Sequence, residues 1–122
     1  MQKILIVEDE ELLVKALKKK LEKEAFEIFV ARDGIEGLDA TKAHAPDLIL
    51  LDIVMPRMDG ITMLAKMRKE DWGKDIPVII LTNLSSDEKM AESEAQGVNQ
   101  YLVKTNWGID EIIEKIKDKL DS

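Results

Sequence analysis

Apolar residues in this chain fall into two recurring patterns. The first is a short run without polar interruption: KILIV at Lys3–Val7, LILL at Leu48–Leu51 and VIIL at Val78–Leu81. Such runs of β-branched residues and leucine, ended by charges or turn residues, predict strands buried on both faces. EIFVA at Glu27–Ala31 and QYLV at Gln100–Val103 complete the set of strands. The second pattern has the period of a helix. Leu13, Leu17 and Leu21 recur at i, i+4 and i+8 within about Glu11–Glu24, opposite a lysine-rich face. Ile109, Ile112, Ile113, Ile116 and Leu120 do the same at the end of the chain, and further helices are expected at about Ile35–Ala43, Ile61–Lys69 and Asp87–Gln96. Turn residues punctuate the alternation: Asp33-Gly34, Ala45-Pro46, Asp59-Gly60 and Gly97. Strands alternating with helices predict a parallel α/β sheet covered on both faces, because crossover connections are right-handed almost without exception.

Charge enters this picture at the strand ends. Glu8 and Asp9 follow the first strand, Asp52 follows the third, Asp59 lies in the turn beyond it, and Lys104 follows the fifth. In an open parallel sheet ligands bind in the crevice at the carboxyl ends of the strands. Carboxylates that converge there raise one another's pKa unless a cation neutralises them, so the pattern implies a divalent metal with Lys104 as a second counter-charge. Asp59, before a glycine and shortly after Pro56, reads as turn chemistry instead of a ligand.

The segments KILIVEDEE, LILLDIVMPRMDG, VIILTN and YLVK, in this order and at this spacing, resemble the receiver domain of bacterial two-component response regulators. The likeness covers Lys3 to about Leu120. It implies a flavodoxin-like doubly wound sheet of order 2-1-3-4-5 with five helices on both faces, which sets the ends of the first and third strands side by side. It further implies that Asp52 is the phosphoacceptor, fed by a phosphohistidine on a sensor histidine kinase or a phosphotransfer protein. Asp9 and Asp52 would bind Mg²⁺ directly, Glu8 through water, with the Val54 carbonyl completing the protein's ligands. Thr82 and Lys104 would contact phosphoryl oxygens, and Thr82 with Tyr101 would form the switch that alters a surface read by a downstream output protein. Three positions depart from the family's usual pattern: Thr105 replaces the proline after the lysine, Asn83 replaces a small residue after the threonine, and Glu8 replaces an aspartate. A peptide bond to a residue other than proline strongly prefers trans, so the Lys104-Thr105 bond is expected to be trans.

Composition narrows the alternatives. The chain has 122 residues, a formal net charge of −7 and no cysteine. That length suits one domain, 1–122, and implies a stand-alone receiver or one cut at its linker. The acidic balance argues against direct nucleic-acid binding, and the run Lys18-Lys19-Lys20 reads as a solvated helix face. Disulfides are excluded, a cytoplasmic location is expected, and no apolar stretch approaches the ~20 residues that span a bilayer. The expected protein is a signalling phosphoacceptor that assists its own phosphorylation and dephosphorylation, not a turnover enzyme, and a monomer or a weak phosphorylation-dependent homodimer.

Other readings share parts of the pattern. A flavin-binding flavodoxin needs a glycine- and hydroxyl-rich phosphate loop after the first strand, where this chain has Glu8-Asp9-Glu10-Glu11. A P-loop is absent from the sequence. A haloacid-dehalogenase-like phosphatase wants a second acid two residues after its nucleophile, where Val54 stands. The remaining alternative is a receiver-like interaction module that is never phosphorylated, suggested by Thr105 and Asn83.

Overall fold

A computed structural model describes residues 1–121. Five strands, β1 (Lys3–Val7), β2 (Glu27–Ala31), β3 (Leu48–Leu51), β4 (Val78–Thr82) and β5 (Tyr101–Val103), form one parallel sheet of order β2-β1-β3-β4-β5. The helices are α1 (Glu11–Lys23), α2 (Gly34–His44), α3 (Gly60–Arg68), α4 (Asp87–Ala95) and α5 (Ile109–Asp121). The runs of β1, β3 and β4 are almost wholly buried because both faces of the sheet are covered there, whereas β2 at the sheet edge leaves Glu27 and Val30 exposed. Ile4 and Ile6 of β1 point with Leu48, Leu50, Ile79 and Leu81 into a core closed by Leu17 and Leu21 of α1 and by Ile112, Ile113 and Ile116 of α5. Their neighbours Leu5, Val7, Ile49, Leu51 and Ile80 point the other way, against Met63, Leu64 and Met67 of α3. Side chains alternate along a strand, so each run feeds both cores at once.

Several boundaries move by a residue or two from the expected ones, each for a local reason. Asp33 and Asp59 cap α2 and α3 by accepting from the backbone N–H of Glu36 and Thr62, so Gly34 and Gly60 become the first helical residues instead of turn residues. Ser86 caps α4 in the same way, through Lys89. Strand β4 extends to Thr82 and β5 begins at Tyr101, not Gln100, because the parallel register pairs Ile80 with Tyr101 and Thr82 with Val103. A 3-10 turn over Lys104–Asn106, not anticipated from periodicity, follows β5. Every peptide bond among the described residues is trans, Lys104-Thr105 included. His44 ends α2 half-buried, its ring stacked on Phe29 with centroids 3.9 Å apart.

One close approach bears on the site. A β-carbon on Gly60 would sit 2.1 Å from the Asp52 carbonyl oxygen, so only glycine lets α3 start this near the end of β3. The Gly60 N–H donates to the Ile53 carbonyl at 2.8 Å, tying the helix start to the residue after Asp52.

Candidate functional site

The sheet order puts β1, β3, β4 and β5 ends along one rim, and the expected residues meet there. Glu8, Asp9, Glu10, Asp52, Val54, Thr82, Asn83, Leu84 and Lys104 line one cleft of about 300 Å³. Glu8 and Asp52 are buried, Asp9 is exposed at the mouth, and one carboxylate oxygen from each of the three lies within 4.8 Å of the others. The backbone explains the convergence. Glu8 N–H donates to the Ala31 carbonyl and Asp52 N–H to the Val7 carbonyl, so both acids continue the ladders of the strands that precede them. Oδ1 of Asp52 accepts from the Ile53 N–H at 2.7 Å, which holds the carboxylate's rotation and leaves Oδ2 on the side of Lys104.

Lys104 bridges the acids. Its Nζ lies 2.5 Å from Glu8 Oε1, 3.2 Å from Glu10 Oε2 and 3.4 Å from Asp52 Oδ2, with the side chain largely enclosed. Burial pushes the Glu8 carboxyl up to about 7; the Lys104 hydrogen bond pulls it down and the Asp52 charge pushes it further up. Burial also opposes the charge on Lys104, but the hydrogen bond to Glu8 and the charges of Asp52 and Glu8 outweigh it and raise the ammonium's pKa. One lysine therefore fails to neutralise the set. Three converging carboxylates, all hard oxygen donors with charge to spare, fit a hard divalent cation, and thiol or imidazole ligands are not at hand.

Thr82 ends β4 fully buried, its Oγ1 accepting from the Leu84 N–H at 3.2 Å. Tyr101, half-buried on β5, donates its hydroxyl to the Leu84 carbonyl at 2.5 Å. The loop residue Leu84 thus joins the two expected switch positions through its own backbone. Val54 is 62 % exposed at the mouth, and Asn83 is exposed beside it. Asp59 serves α3 as its cap, where a turn residue was expected, and lies outside the cluster of Glu8, Asp9 and Asp52.

Two features escaped the sequence. Glu10 reaches Lys104, which no strand-end pattern signals, since Glu10 precedes a helix and its neighbours Asp9 and Glu11 are equally acidic. Arg57, with φ +62, is the middle of a tight turn closed by the Met58 N–H on the Pro56 carbonyl. Its guanidinium holds the buried Asp33 at 2.7 Å, so the loop after Asp52 is pinned to the start of α2.

The response regulator receiver domain family matches residues 4–117 of this chain. The chain belongs to that family. A receiver domain is the phosphoacceptor module of two-component signalling, and the likeness extends to individual proteins and structures. The transcriptional regulatory protein YkoG of Bacillus subtilis is 36 % identical over 117 residues, which is 96 % of this chain and 50 % of that protein. The chain thus spans about half the length of the curated relatives it matches. Among solved structures, a CheY-like receiver domain from Methanospirillum hungatei is 32 % identical with a TM-score of 0.91, covering 99 % of this chain and 94 % of that one. CheY of Borrelia burgdorferi, solved with CheX, BeF3 and Mg²⁺, is 30 % identical with a TM-score of 0.85, covering 96 % and 87 %. Among the described residues, no helix of this receiver is long and apolar enough to cross a membrane.

Proposed function

We propose that Asp52 is the phosphoacceptor of this receiver, charged by a phosphohistidine on a sensor histidine kinase or phosphotransfer protein in a Mg²⁺-dependent reaction. The observation that carries the reading is the meeting of Glu8, Asp9, Asp52, Thr82 and Lys104 in one cleft, with Asp52 at its buried floor. A carboxylate oxygen of Asp52 attacks phosphorus, the bond from phosphorus to the imidazole nitrogen breaks with its electron pair left on that nitrogen, and an acyl phosphate forms. Asp9 and Asp52, with the Val54 carbonyl, would hold the metal directly, and Glu8 would hold it through water. Bound Mg²⁺ supplies the charge neutralisation that lets an anionic phosphoryl group approach three carboxylates. The Mg²⁺ in the Borrelia burgdorferi relative supports this choice of ion.

The chain's own groups do the positioning. The Ile53 N–H orients the Asp52 carboxylate before the donor arrives, so no rotation is needed at the moment of attack. Lys104 and the Thr82 hydroxyl donate to separate phosphoryl oxygens. As Thr82 turns to do so it releases the Leu84 N–H, and Leu84 also carries the carbonyl that anchors Tyr101. Tyr101 is then free to repack, and the surface of α4, β5 and α5 changes for a downstream output protein. The domain acts as a cytoplasmic signalling phosphoacceptor, monomeric or weakly dimeric once phosphorylated, with no direct nucleic-acid contact of its own.

Intact-mass measurement after incubation with acetyl phosphate and Mg²⁺ tests the assignment. Wild type gains about 80 Da, the mass of a phosphoryl group on one carboxylate, and Asp52→Asn does not. Stoichiometric labelling of Asp52→Asn would refute the site, and an unlabelled wild type would favour the interaction-module reading.

A further inference from the structure

We infer that Glu10 is a positioning residue that competes with the phosphoryl group for Lys104, and so slows phosphorylation and shortens the life of the phosphorylated state. The inference rests on the proposed role of Asp52 and concerns how that site is regulated. An ammonium has three N–H donors and no acceptor. Those of Lys104 face three carboxylates: Glu8 at 2.5 Å, Glu10 at 3.2 Å and Asp52 at 3.4 Å. Its donors are therefore fully committed before any phosphoryl group arrives. To donate to a phosphoryl oxygen, Lys104 must give up a partner.

The three partners are not equally easy to leave. Glu8 is buried, holds the shortest contact, and is itself anchored because its Oε2 accepts the Glu10 N–H at 3.1 Å. Asp52 is the reacting group. Glu10 alone has a side chain that is 54 % exposed, so its carboxylate returns to water at little cost when the bond breaks. The exchange trades one charge-assisted hydrogen bond for another, and Glu10 stays at the cleft wall as a competitor for the return. The backbone keeps it there: Glu10 is the residue before α1, its N–H on Glu8 and its carbonyl accepting from the Val14 N–H. Its neighbour Glu11 carries the same charge but pairs with Arg32.

That neighbour provides the control. Phosphorylation by acetyl phosphate and decay after donor removal are measured for wild type, Glu10→Gln, Glu10→Ala and Glu11→Gln. A weak, half-exposed ion pair corresponds to roughly a two- to fivefold effect on an equilibrium. Glu10→Ala is expected to phosphorylate faster and decay more slowly by about that factor. Glu10→Gln should fall between it and wild type, since the amide oxygen still accepts from Lys104, and Glu11→Gln should behave as wild type. In a Lys104→Ala background the Glu10 substitutions should change neither rate. Equal acceleration by Glu10→Gln and Glu11→Gln that fades with added salt would show a through-space charge effect and overturn the inference. So would an undiminished Glu10 effect without Lys104, or wild-type rates in both Glu10 variants. If wild type itself takes no phosphoryl group on Asp52, it is the underlying site assignment that fails.

Discussion

At the scale of single residues the cleft is a problem in charge. Glu8 has a carboxyl pushed from 4.5 to about 7 by burial, against the pull of Lys104. A carboxyl whose pKa rises on folding binds its proton more tightly in the folded state. Its contribution to stability is thus fully present below 4.5 and is lost as pH rises through 7. Metal-free protein should lose on the order of 3 kcal/mol across that window from this group alone, and Glu8→Gln should flatten the profile. Urea titrations in the presence of a chelator at pH values spanning the window check this. An unchanged slope in Glu8→Gln would place the titration elsewhere. Two apolar residues also face the cleft, Val54 and Leu84. Neither can orient a water through its side chain, so the phosphorylated state should be long-lived and Val54→Asn with Leu84→Glu should hasten decay. Decay of wild type within seconds would show that apolar shielding does not set the lifetime.

At the scale of elements, α1 divides its face between core and solvent. Leu17 and Leu21 are buried, Leu13 packs against the same core, and Leu12, two residues after the cleft-lining Glu10, is 80 % exposed. An exposed leucine this close along the chain to the proposed phosphoacceptor cleft suits contact with a helix that would carry a donor histidine. Leu12→Glu should fold as wild type by circular dichroism, accept phosphate from acetyl phosphate, and lose transfer from its kinase by tenfold or more, about 1.4 kcal/mol of contact. Kinase transfer at the wild-type rate would remove α1 from the docking surface. The helical stripe of α1 was legible as leucines four residues apart. The starts of α2 and α3 were less so, because Asp-Gly serves equally as a turn and as a cap with the first helical residue. What decides is whether the aspartate accepts from an N–H three residues on, as Asp33 and Asp59 do.

At the scale of the whole molecule, the proposed metal site joins the ends of β1 and β3, so an ion there would tie two strands that the chain separates by α1, β2 and α2. On the proposed reading Mg²⁺ would bind the folded state, where Glu8, Asp9 and Asp52 converge, and would find no such cluster in an unfolded chain. At a free concentration a hundred times its dissociation constant it should stabilise by about 2.7 kcal/mol. Thermal melts with and without Mg²⁺ should show the shift in wild type and its loss in an Asp9→Asn, Asp52→Asn double variant. A shift of equal size in that variant would mean the ion acts at another place.

The alternation of buried strands with amphipathic helices was written in the sequence, because period two and period 3.6 are local properties that each segment carries alone. So was the family, since the acids, threonine and lysine each stand at a strand end whose position the apolar runs mark. The ends of the helices were decided by caps, and the contacts of Lys104 by tertiary structure. Glu8 and Glu10 both belong to the acidic run Glu8-Asp9-Glu10-Glu11 that follows the first strand. Only the fold encloses one and leaves the other in water, and brings Glu10 within 3.2 Å of a lysine 94 residues away. Desolvation and long-range pairing are properties of the enclosure, not of any segment, so the raised Glu8, the saturated Lys104 and the hold of Arg57 on Asp33 belong to the folded chain alone.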